Sequence, residues 1–295
     1  MMMKKLYFPF VIALLGLCSC TSVGSDIVGS GSSMTEDSSG SNNEEKEMPV
    51  FSDQHYRGFS MDNVLHSEKL GDIHYNVYLP DDYDGSSAYA LYFTLPGYQG
   101  LYRFGVGANL ETENFAFEAM DYIDDIIIVA PQLNDWGETS ARQTIELVHW
   151  FLDNLNIDED RVFANGYSGG GETMSTTMGI EPTLFTRYLH CSSRWDGDLE
   201  ALVESKTPVY LVIGENDEYY GSESTIETYN DIVELYRAEG LTEEKISSLV
   251  VLDVKNHDYF ASQGMSNEHG GGGKLFASDP EIMGWLFGTS KMTIR

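Results

Sequence analysis

The feature that most constrains this chain is a Gly-x-Ser-x-Gly pentapeptide at residues 166–170, with Ser168 at its centre. A mostly apolar run, residues 161–164, precedes it, and a helix-compatible stretch, residues 172–178, follows it. A serine in a sharp turn between a strand and a helix exposes its hydroxyl, and the flanking glycines let the two backbones come close. The N-terminus of the following helix offers unpaired N–H groups to an oxyanion. The pattern predicts that Ser168 is a catalytic nucleophile.

Segments with the periodicity of strands and of helices alternate along the chain from about residue 58. The predicted strands are residues 58–66, 73–79, 89–95, 125–130, 161–164, 187–192, 209–213 and 248–254. The predicted helices are residues 140–155, residues 225–239 and a last helix that ends at Phe287. The first strands indicate antiparallel pairing, and the later alternation indicates parallel strands joined by helices. We therefore expect one α/β domain over residues 50–295, with a mostly parallel, doubly wound sheet.

A serine hydroxyl becomes a good nucleophile when a base takes its proton, and an acid must hold that base in the right tautomer. On a scaffold of this kind the order along the chain is serine, acid, histidine. His257 and His269 both satisfy that order. His257 directly follows the last predicted strand, whereas His269 precedes four glycines, residues 270–273, that we interpret as an open loop. We favour His269 as the base and keep His257 as the alternative.

The acid is expected just beyond the apolar strand 209–213, which Gly214 ends. A carboxylate beyond the C-terminal end of a strand lies on the ligand side of an α/β sheet. Asp217, three residues after that glycine, is the predicted acid, and Glu215 and Glu218 are the alternatives.

Two backbone N–H groups are needed to stabilise the oxyanion of the tetrahedral intermediate. Gly169, directly after the nucleophile, should supply one of them. The other should come from the loop at residues 95–100, Leu-Pro-Gly-Tyr-Gln-Gly, with the N–H of Tyr98 as the expected donor.

Aromatic side chains on loops at the expected ligand edge could contact a sugar or an aryl acyl group. We predict that Trp195 binds substrate, and we interpret Trp136 as a packing residue. The acidic residues 81–84 lack the ligand spacing of a calcium site, so they are interpreted as a turn. The proposed chemistry needs neither a metal nor a cofactor.

The first 20 residues have the pattern of a targeting segment: Lys4 and Lys5 precede an apolar run at residues 6–17. The end of this segment, residues 17–20 (Leu-Cys-Ser-Cys), resembles a bacterial lipobox, which implies cleavage before Cys20 and a lipid on its sulfur. Residues 21–49 are rich in Ser, Gly and acidic residues and are expected to be a flexible linker. These patterns predict a protein of the cell envelope, outside the cytoplasm and anchored to a membrane by lipid.

The chain has 47 acidic and 17 basic residues, for a formal net charge of −30. Such a charge argues against a nucleic-acid partner, because phosphate contacts need a basic surface. It also argues against electrostatic docking on anionic lipid. Two of the three cysteines lie in the leader, so the folded part cannot contain a disulfide framework.

The elbow at residues 166–170, the Pro-Gly-Tyr-x-Gly loop at residues 96–100, the Gly-x-x-Asp at residues 214–217 and a late histidine before a terminal helix together resemble the α/β-hydrolase superfamily. Within it the chain is similar to the secreted esterase branch that contains feruloyl and acetyl-xylan esterases and polyhydroxyalkanoate depolymerases. Where many members have His-Gly before the oxyanion loop, this chain has Pro96-Gly97.

The resemblance implies a serine esterase that acts through an acyl-enzyme, on a small ester or an acylated carbohydrate. One alternative is a serine peptidase of the prolyl-oligopeptidase type. Another is a surface lipoprotein that binds glycan without catalysis.

Overall fold

A computed structural model describes residues 48–105 and 107–291. The predicted leader, the predicted lipidation site Cys20 and nearly all of the predicted linker lie outside these residues, so the domain boundaries at residues 20 and 49 stay predictions. In the described part of the chain, none of the helices combines the length and the apolar character that crossing a membrane requires.

A nine-stranded mixed sheet forms the centre of the fold, with the strand order β1-β2-β3-β5-β4-β6-β7-β8-β9. The strands are β1 His55–Tyr56, β2 Phe59–Ser67, β3 Gly71–Tyr78, β4 Tyr89–Leu95, β5 Ile126–Gln132, β6 Ile157–Tyr167, β7 Arg187–Cys191, β8 Val209–Gly214 and β9 Val250–Lys255. The pairs from β1 to β3, and β3 with β5, are antiparallel. All pairs from β5 through β4 to β9 are parallel.

Ten α-helices are present in residues 48–105 and 107–291, and most of them connect the parallel strands. They are α1 Ala108–Thr112, α2 Phe115–Ala119, α3 Glu138–Asn154, α4 Gly169–Ile180, α5 Leu199–Ser205, α6 Glu223–Ala238, α7 Glu243–Leu249, α8 His257–Ala261, α9 Glu268–Ser278 and α10 Pro280–Phe287. The resulting architecture is the α/β-hydrolase fold, which confirms the predicted fold class.

Both faces of the sheet are covered, as the continuous apolar sequences of the central strands require. Strand β4 is buried along its whole length, and its successive side chains enter two different apolar clusters. Leu91 and Phe93 belong to one cluster, and Ala90 and Tyr92 belong to the other. This alternation follows from the two-residue period of a strand. Because the parallel strands point the same way, the loops after β4, β6 and β8 meet at one edge of the sheet.

The glycine-rich segment at residues 270–273 differs from the sequence prediction, because it is part of helix α9 and not an open loop. Glycine costs about 1 kcal/mol relative to alanine in a helix. Tight packing on other parts of the fold compensates for that cost: a Cβ at Gly272 would lie 3.0 Å from Ser192 Oγ, and a Cβ at Gly273 would lie 2.7 Å from Glu113 Cγ. Helix α9 therefore approaches the end of the sheet more closely than a helix with side chains at these positions could.

Candidate active site

Ser168 lies in the sharp turn between β6 and α4, in the context that the sequence predicts. Its backbone has φ 53° and ψ −124°, a strained conformation for a residue with a side chain. The Ser168 N–H donates to the carbonyl of Cys191 at the end of β7, 3.0 Å away. A Cβ at Gly166 would lie 2.5 Å from the Gly170 carbonyl oxygen. The turn therefore needs glycine on both sides of the serine, as the pentapeptide indicates.

The structure brings the side chains of Ser168, His269 and Asp217 together, although residues 168 and 269 are far apart in sequence. Ser168 Oγ is 3.0 Å from His269 Nε2. His269 Nδ1 is 2.9 Å from Asp217 Oδ2 and 3.1 Å from Asp217 Oδ1. A carboxylate that accepts from Nδ1–H leaves Nε2 free to take the serine proton. This arrangement has the chemistry of a nucleophile, a base and an orienting acid.

The backbone of the loop after β8 holds the Asp217 carboxylate in place. The carboxylate is fully buried. Its Oδ1 accepts from the N–H groups of Tyr219, at 3.0 Å, and Tyr220, at 2.9 Å. Hydrogen bonds from backbone N–H groups stabilise the charged form of a carboxylate.

The alternative base, His257, lies at the start of α8 and does not contact Ser168. Its side chain is 58% exposed, and its Nδ1 is 3.1 Å from Glu268 Oε1. Its backbone N–H donates to Glu215 Oε1, at 2.7 Å. The geometry therefore favours His269 as the base and removes Glu215 from the position of the acid. The catalytic roles themselves stay predictions.

Two glutamates connect the loop that carries Asp217 to the helix that carries His269, and we refer to Glu218 and Glu268 together as the carboxylate clamp. The Glu218 carboxylate accepts from the backbone N–H groups of Glu268, at 3.1 Å, and His269, at 2.9 Å. The buried Glu268 carboxylate accepts in return from Asn216, at 2.7 Å from its backbone N–H and 3.1 Å from its side-chain amide. Burial raises the pKa of Glu268, but hydrogen bonds from Asn216 and His257 outweigh burial and hold the pKa below its usual value. The clamp thus holds the start of α9, with His269, against the loop that carries Asp217.

The two predicted oxyanion donors lie beside Ser168. Gly169 begins α4, and Tyr98 begins a short 3₁₀ turn, Tyr98–Gly100. A Cβ at Gly97 would lie 3.3 Å from Ser168 Cβ, so this loop passes directly over the serine. Within the described ranges, neither the Gly169 nor the Tyr98 N–H donates a hydrogen bond to another protein atom. Both donors are therefore available to a ligand, and their role in an oxyanion hole stays a prediction.

A cavity of about 380 Å³ opens in front of Ser168 and His269. That volume is in the range of sites for small molecules. Aromatic side chains form much of its wall: Tyr98, Trp136, Tyr167, Tyr219 and Tyr220. Two carboxyl groups, those of Glu113 and Glu172, also line it. The lining contains neither lysine nor arginine within the part of the chain that the structure describes.

Trp195, the predicted substrate-binding residue, is not among the described residues that line this cavity, and its role in substrate binding stays a prediction. Its indole lies against Tyr188 and His190, with ring centroids 5.8 and 5.3 Å apart. Trp195 lies in the loop after β7. At the start of that loop, Ser193 Oγ donates to the carbonyl of Ser168, at 2.6 Å, and so holds this part of the loop close to the elbow. Trp136, interpreted from the sequence as a packing residue, lines the cavity instead.

Sequence reasoning missed the two acidic residues of the cavity. Burial raises the pKa of Glu113 to about 7, and burial also raises the pKa of Glu172. Tyr220 Oη donates to Glu172 Oε1, at 3.1 Å, and Arg194 pairs with the same oxygen. Neither glutamate belongs to a motif, and in a chain with 47 acidic residues no local signal distinguishes them from surface charges.

Part of the chain is similar in sequence to a known protein family. The prolyl oligopeptidase family (Peptidase_S9) matches residues 132–238, which include the elbow and Asp217. The comparison with curated protein sequences yields no match.

Among solved structures, a thermostable esterase has a TM-score of 0.64 and 19% identity, over 79% of this chain and 63% of that one. Oligopeptidase B from Leishmania major has a TM-score of 0.50 and 11% identity, over 78% and 36% of the two chains. The carboxylesterase Cest-2923 from Lactobacillus plantarum has a TM-score of 0.50 and 12% identity, over 76% of this chain and 92% of that one. The chain thus spans less than two thirds of the length of the thermostable esterase.

These structural likenesses show the fold, and with the family match they support a serine hydrolase. The narrower resemblance to feruloyl and acetyl-xylan esterases stays a prediction.

Proposed function

We propose that this serine hydrolase of the α/β-hydrolase fold cleaves carboxylic esters through an acyl-enzyme on Ser168. The observation that supports the proposal best is the alignment of Ser168, His269 and Asp217 beside two unused backbone donors. A small cavity with aromatic walls opens onto that alignment and suits an ester substrate.

In the proposed reaction, His269 Nε2 takes the proton of Ser168 Oγ as this oxygen attacks the ester carbonyl carbon. The oxyanion that forms faces the N–H groups of Gly169 and Tyr98. The ester C–O bond then breaks, and His269 gives its proton to the leaving alkoxide. Water attacks the acyl-enzyme by the same route and releases the acid and free Ser168. Asp217 holds the imidazole in the productive tautomer throughout.

We further propose acylated carbohydrate as a substrate class. Exposed aromatic rings such as Tyr98 and Tyr219 at the cavity rim give a flat apolar surface for a sugar ring. The carboxyl groups of Glu113 and Glu172 could accept hydrogen bonds from its hydroxyls.

Peptide-bond cleavage is the second candidate function, and the match of residues 132–238 to the prolyl oligopeptidase family favours it. The same three side chains would act, but the leaving group would be an amine.

The test uses the full-length protein with aryl acetates, acetylated oligosaccharides and aminoacyl arylamides, and compares the wild type with Ser168→Ala. We expect ester turnover that falls by at least about 10⁴-fold in the variant while the melting temperature stays close to that of the wild type. Arylamide turnover without ester turnover would favour the peptidase. Activity retained by Ser168→Ala would contradict the mechanism, and a wild type that binds oligosaccharide without hydrolysing any probe would favour the glycan-binding alternative.

The location in the cell envelope is also a proposal, supported by the lipobox-like sequence at residues 17–20. If Cys20 carries the lipid, Cys20→Ala should move the protein from the membrane fraction to the soluble fraction of the envelope. An unchanged membrane fraction would contradict the anchor, and Cys18→Ala serves as the matched control.

A further inference from the structure

Glu113 is a buried acidic residue in the cavity that takes no part in the proton transfers of the proposed reaction. Glu113 lies between α1 and α2 and is only 7% exposed to solvent. It lines the cavity in front of Ser168. Its Oε2 atom is buried and has no hydrogen-bond partner within residues 48–105 and 107–291. Buried carboxyl oxygens are normally paired, so an unpaired one in a substrate cavity needs an explanation.

Among the described residues, the neighbours of Glu113 provide no counter-ion for its carboxyl group. The backbone N–H of Gly97 and the hydroxyl of Thr112 approach it. Gly273 of α9 packs against its side chain, and the Tyr167 ring borders the same glycine. None of these groups carries a positive charge, and burial raises the pKa of the carboxyl to about 7.

This carboxyl is close to the reacting centre. Gly97 approaches both Glu113 and Ser168, since a Cβ at Gly97 would lie 3.3 Å from Ser168 Cβ. A substrate group that reached Glu113 would therefore lie within a few bonds of a carbonyl carbon held at Ser168 Oγ.

We propose that Glu113 forms a recognition subsite for a hydrogen-bond donor, a hydroxyl or an ammonium group, that the substrate carries near its scissile ester. The donor supplies the partner that Oε2 lacks in the protein. An apolar group at the same place would leave the buried carboxyl unpaired, and sites built in this way discriminate against analogues that lack the donor. This inference rests on the proposed ester hydrolysis.

The subsite has a different role from that of the clamp or of the oxyanion loop. If Glu113 only supported Gly97, its loss would slow the hydrolysis of every ester by the same factor. If it binds substrate, its loss would lower activity towards donor-bearing esters and spare apolar ones. The ratio of kcat/KM between matched esters therefore separates the two roles.

The experiment uses the full-length protein and two sets of matched esters. The acyl part is probed with 4-nitrophenyl butanoate, 3-hydroxypropanoate and 3-aminopropanoate, which have acyl chains of similar size. The alcohol part is probed with propyl acetate and 2-hydroxyethyl acetate. A preference for the hydroxy esters identifies a hydroxyl as the natural donor, and a preference for the amino ester identifies an ammonium group.

Three variants accompany the wild type. Glu113→Leu removes charge and hydrogen bonding at similar volume, and Glu113→Gln removes only the charge. Glu111→Gln, two residues earlier on the exposed side of α1, makes the same charge change outside the cavity. Thermal unfolding of each variant checks the fold.

In the wild type we expect kcat/KM for one donor-bearing ester to exceed that for its apolar partner by about tenfold or more. Glu113→Leu should abolish that preference while activity on the apolar ester stays within about threefold, and Glu111→Gln should keep it. Equal losses on all esters, or a wild type without a donor preference in either set, would overturn the subsite. A wild type that hydrolyses none of the esters would instead refute the proposed function.

Discussion

At the scale of single residues, the backbone of Ser168 shows how directly a short motif can specify a site. Its φ of 53° is tolerated because the turn is fixed on both sides, by glycines that allow close backbone contact and by the hydrogen bond to Cys191. The requirement for glycine is local, so the sequence could predict the elbow without the hydrogen bond to Cys191. Glu113, in contrast, lies in the cavity because its side chain packs against α9, and no local sequence pattern predicts that contact.

We expect Asp217 to support ester hydrolysis by fixing the tautomer of His269. In Asp217→Asn the amide would support the wrong tautomer, so we expect ester kcat/KM to fall by about 10³–10⁴-fold. The measurement is aryl acetate hydrolysis at pH 7 and 25 °C. A loss smaller than about tenfold would mean that another carboxylate, such as that of Glu218, orients the base.

The burial of Glu113 also leads to a prediction about how the free energy of unfolding depends on pH. Its pKa is about 7 in the folded protein against an ordinary value of 4.5. The protonated form is therefore favoured on folding, and this contribution is fully present below pH 4.5 and lost as the pH rises through 7. Between these pH values the wild type should lose about 3 kcal/mol of unfolding free energy relative to Glu113→Gln.

Urea unfolding of both proteins at several pH values measures that difference. The nearby titratable groups, Tyr167 on β6, His269 on α9 and Glu172 on α4, are present in both proteins, so their direct contributions cancel in the comparison. A difference that does not change with pH would mean that Glu113 titrates at its ordinary pKa.

At the scale of elements, helix α9 is the part of the site whose structure the sequence pattern predicts wrongly, as a loop. Four successive glycines favour a loop by propensity, but tertiary packing against Glu113 and Ser192 stabilises a helix that only glycine can form at this distance. The strands β4 and β8 could be predicted closely because their apolar runs leave few alternatives. Helices α1 and α2 are short and carry no periodicity long enough to detect.

The carboxylate clamp is expected to hold α9 in register with the loop after β8. Glu218→Gln leaves a single oxygen for two backbone N–H groups, so His269 should be positioned less well. We expect kcat to fall by about tenfold with little change in KM, and a slower reaction of Ser168 with a fluorophosphonate probe.

Glu215→Gln is the matched control, because Glu215 contacts the backbone of His257 and not that of α9. Equal effects of the two substitutions, or a loss of activity that only follows a loss of thermal stability, would show that the clamp does not position the base.

At the scale of the whole molecule, the formal net charge of −30 should repel anionic substrates. Added salt should screen that repulsion. We expect kcat/KM for 4-nitrophenyl succinate to be several-fold below that for the neutral butanoate at about 10 mM ionic strength, where the Debye length is about 30 Å.

The difference in kcat/KM between the succinate and the butanoate ester should become smaller at about 0.5 M salt, while kcat/KM for the neutral butanoate changes little. A salt-independent ratio would indicate that shape rather than charge sets the difference.

The separation of the reacting groups along the chain has a consequence for how activity arises. Ser168 and His269 are 101 positions apart, and the hydrogen bond between Glu218 and His269 joins residues 51 positions apart. A chain that is still being synthesised, or one cut before α9, would contain the serine without its base. If His269 is the base, such a chain has no hydrolytic activity. We therefore expect hydrolysis to begin only after the C-terminal segment has docked, so its onset would report completed folding.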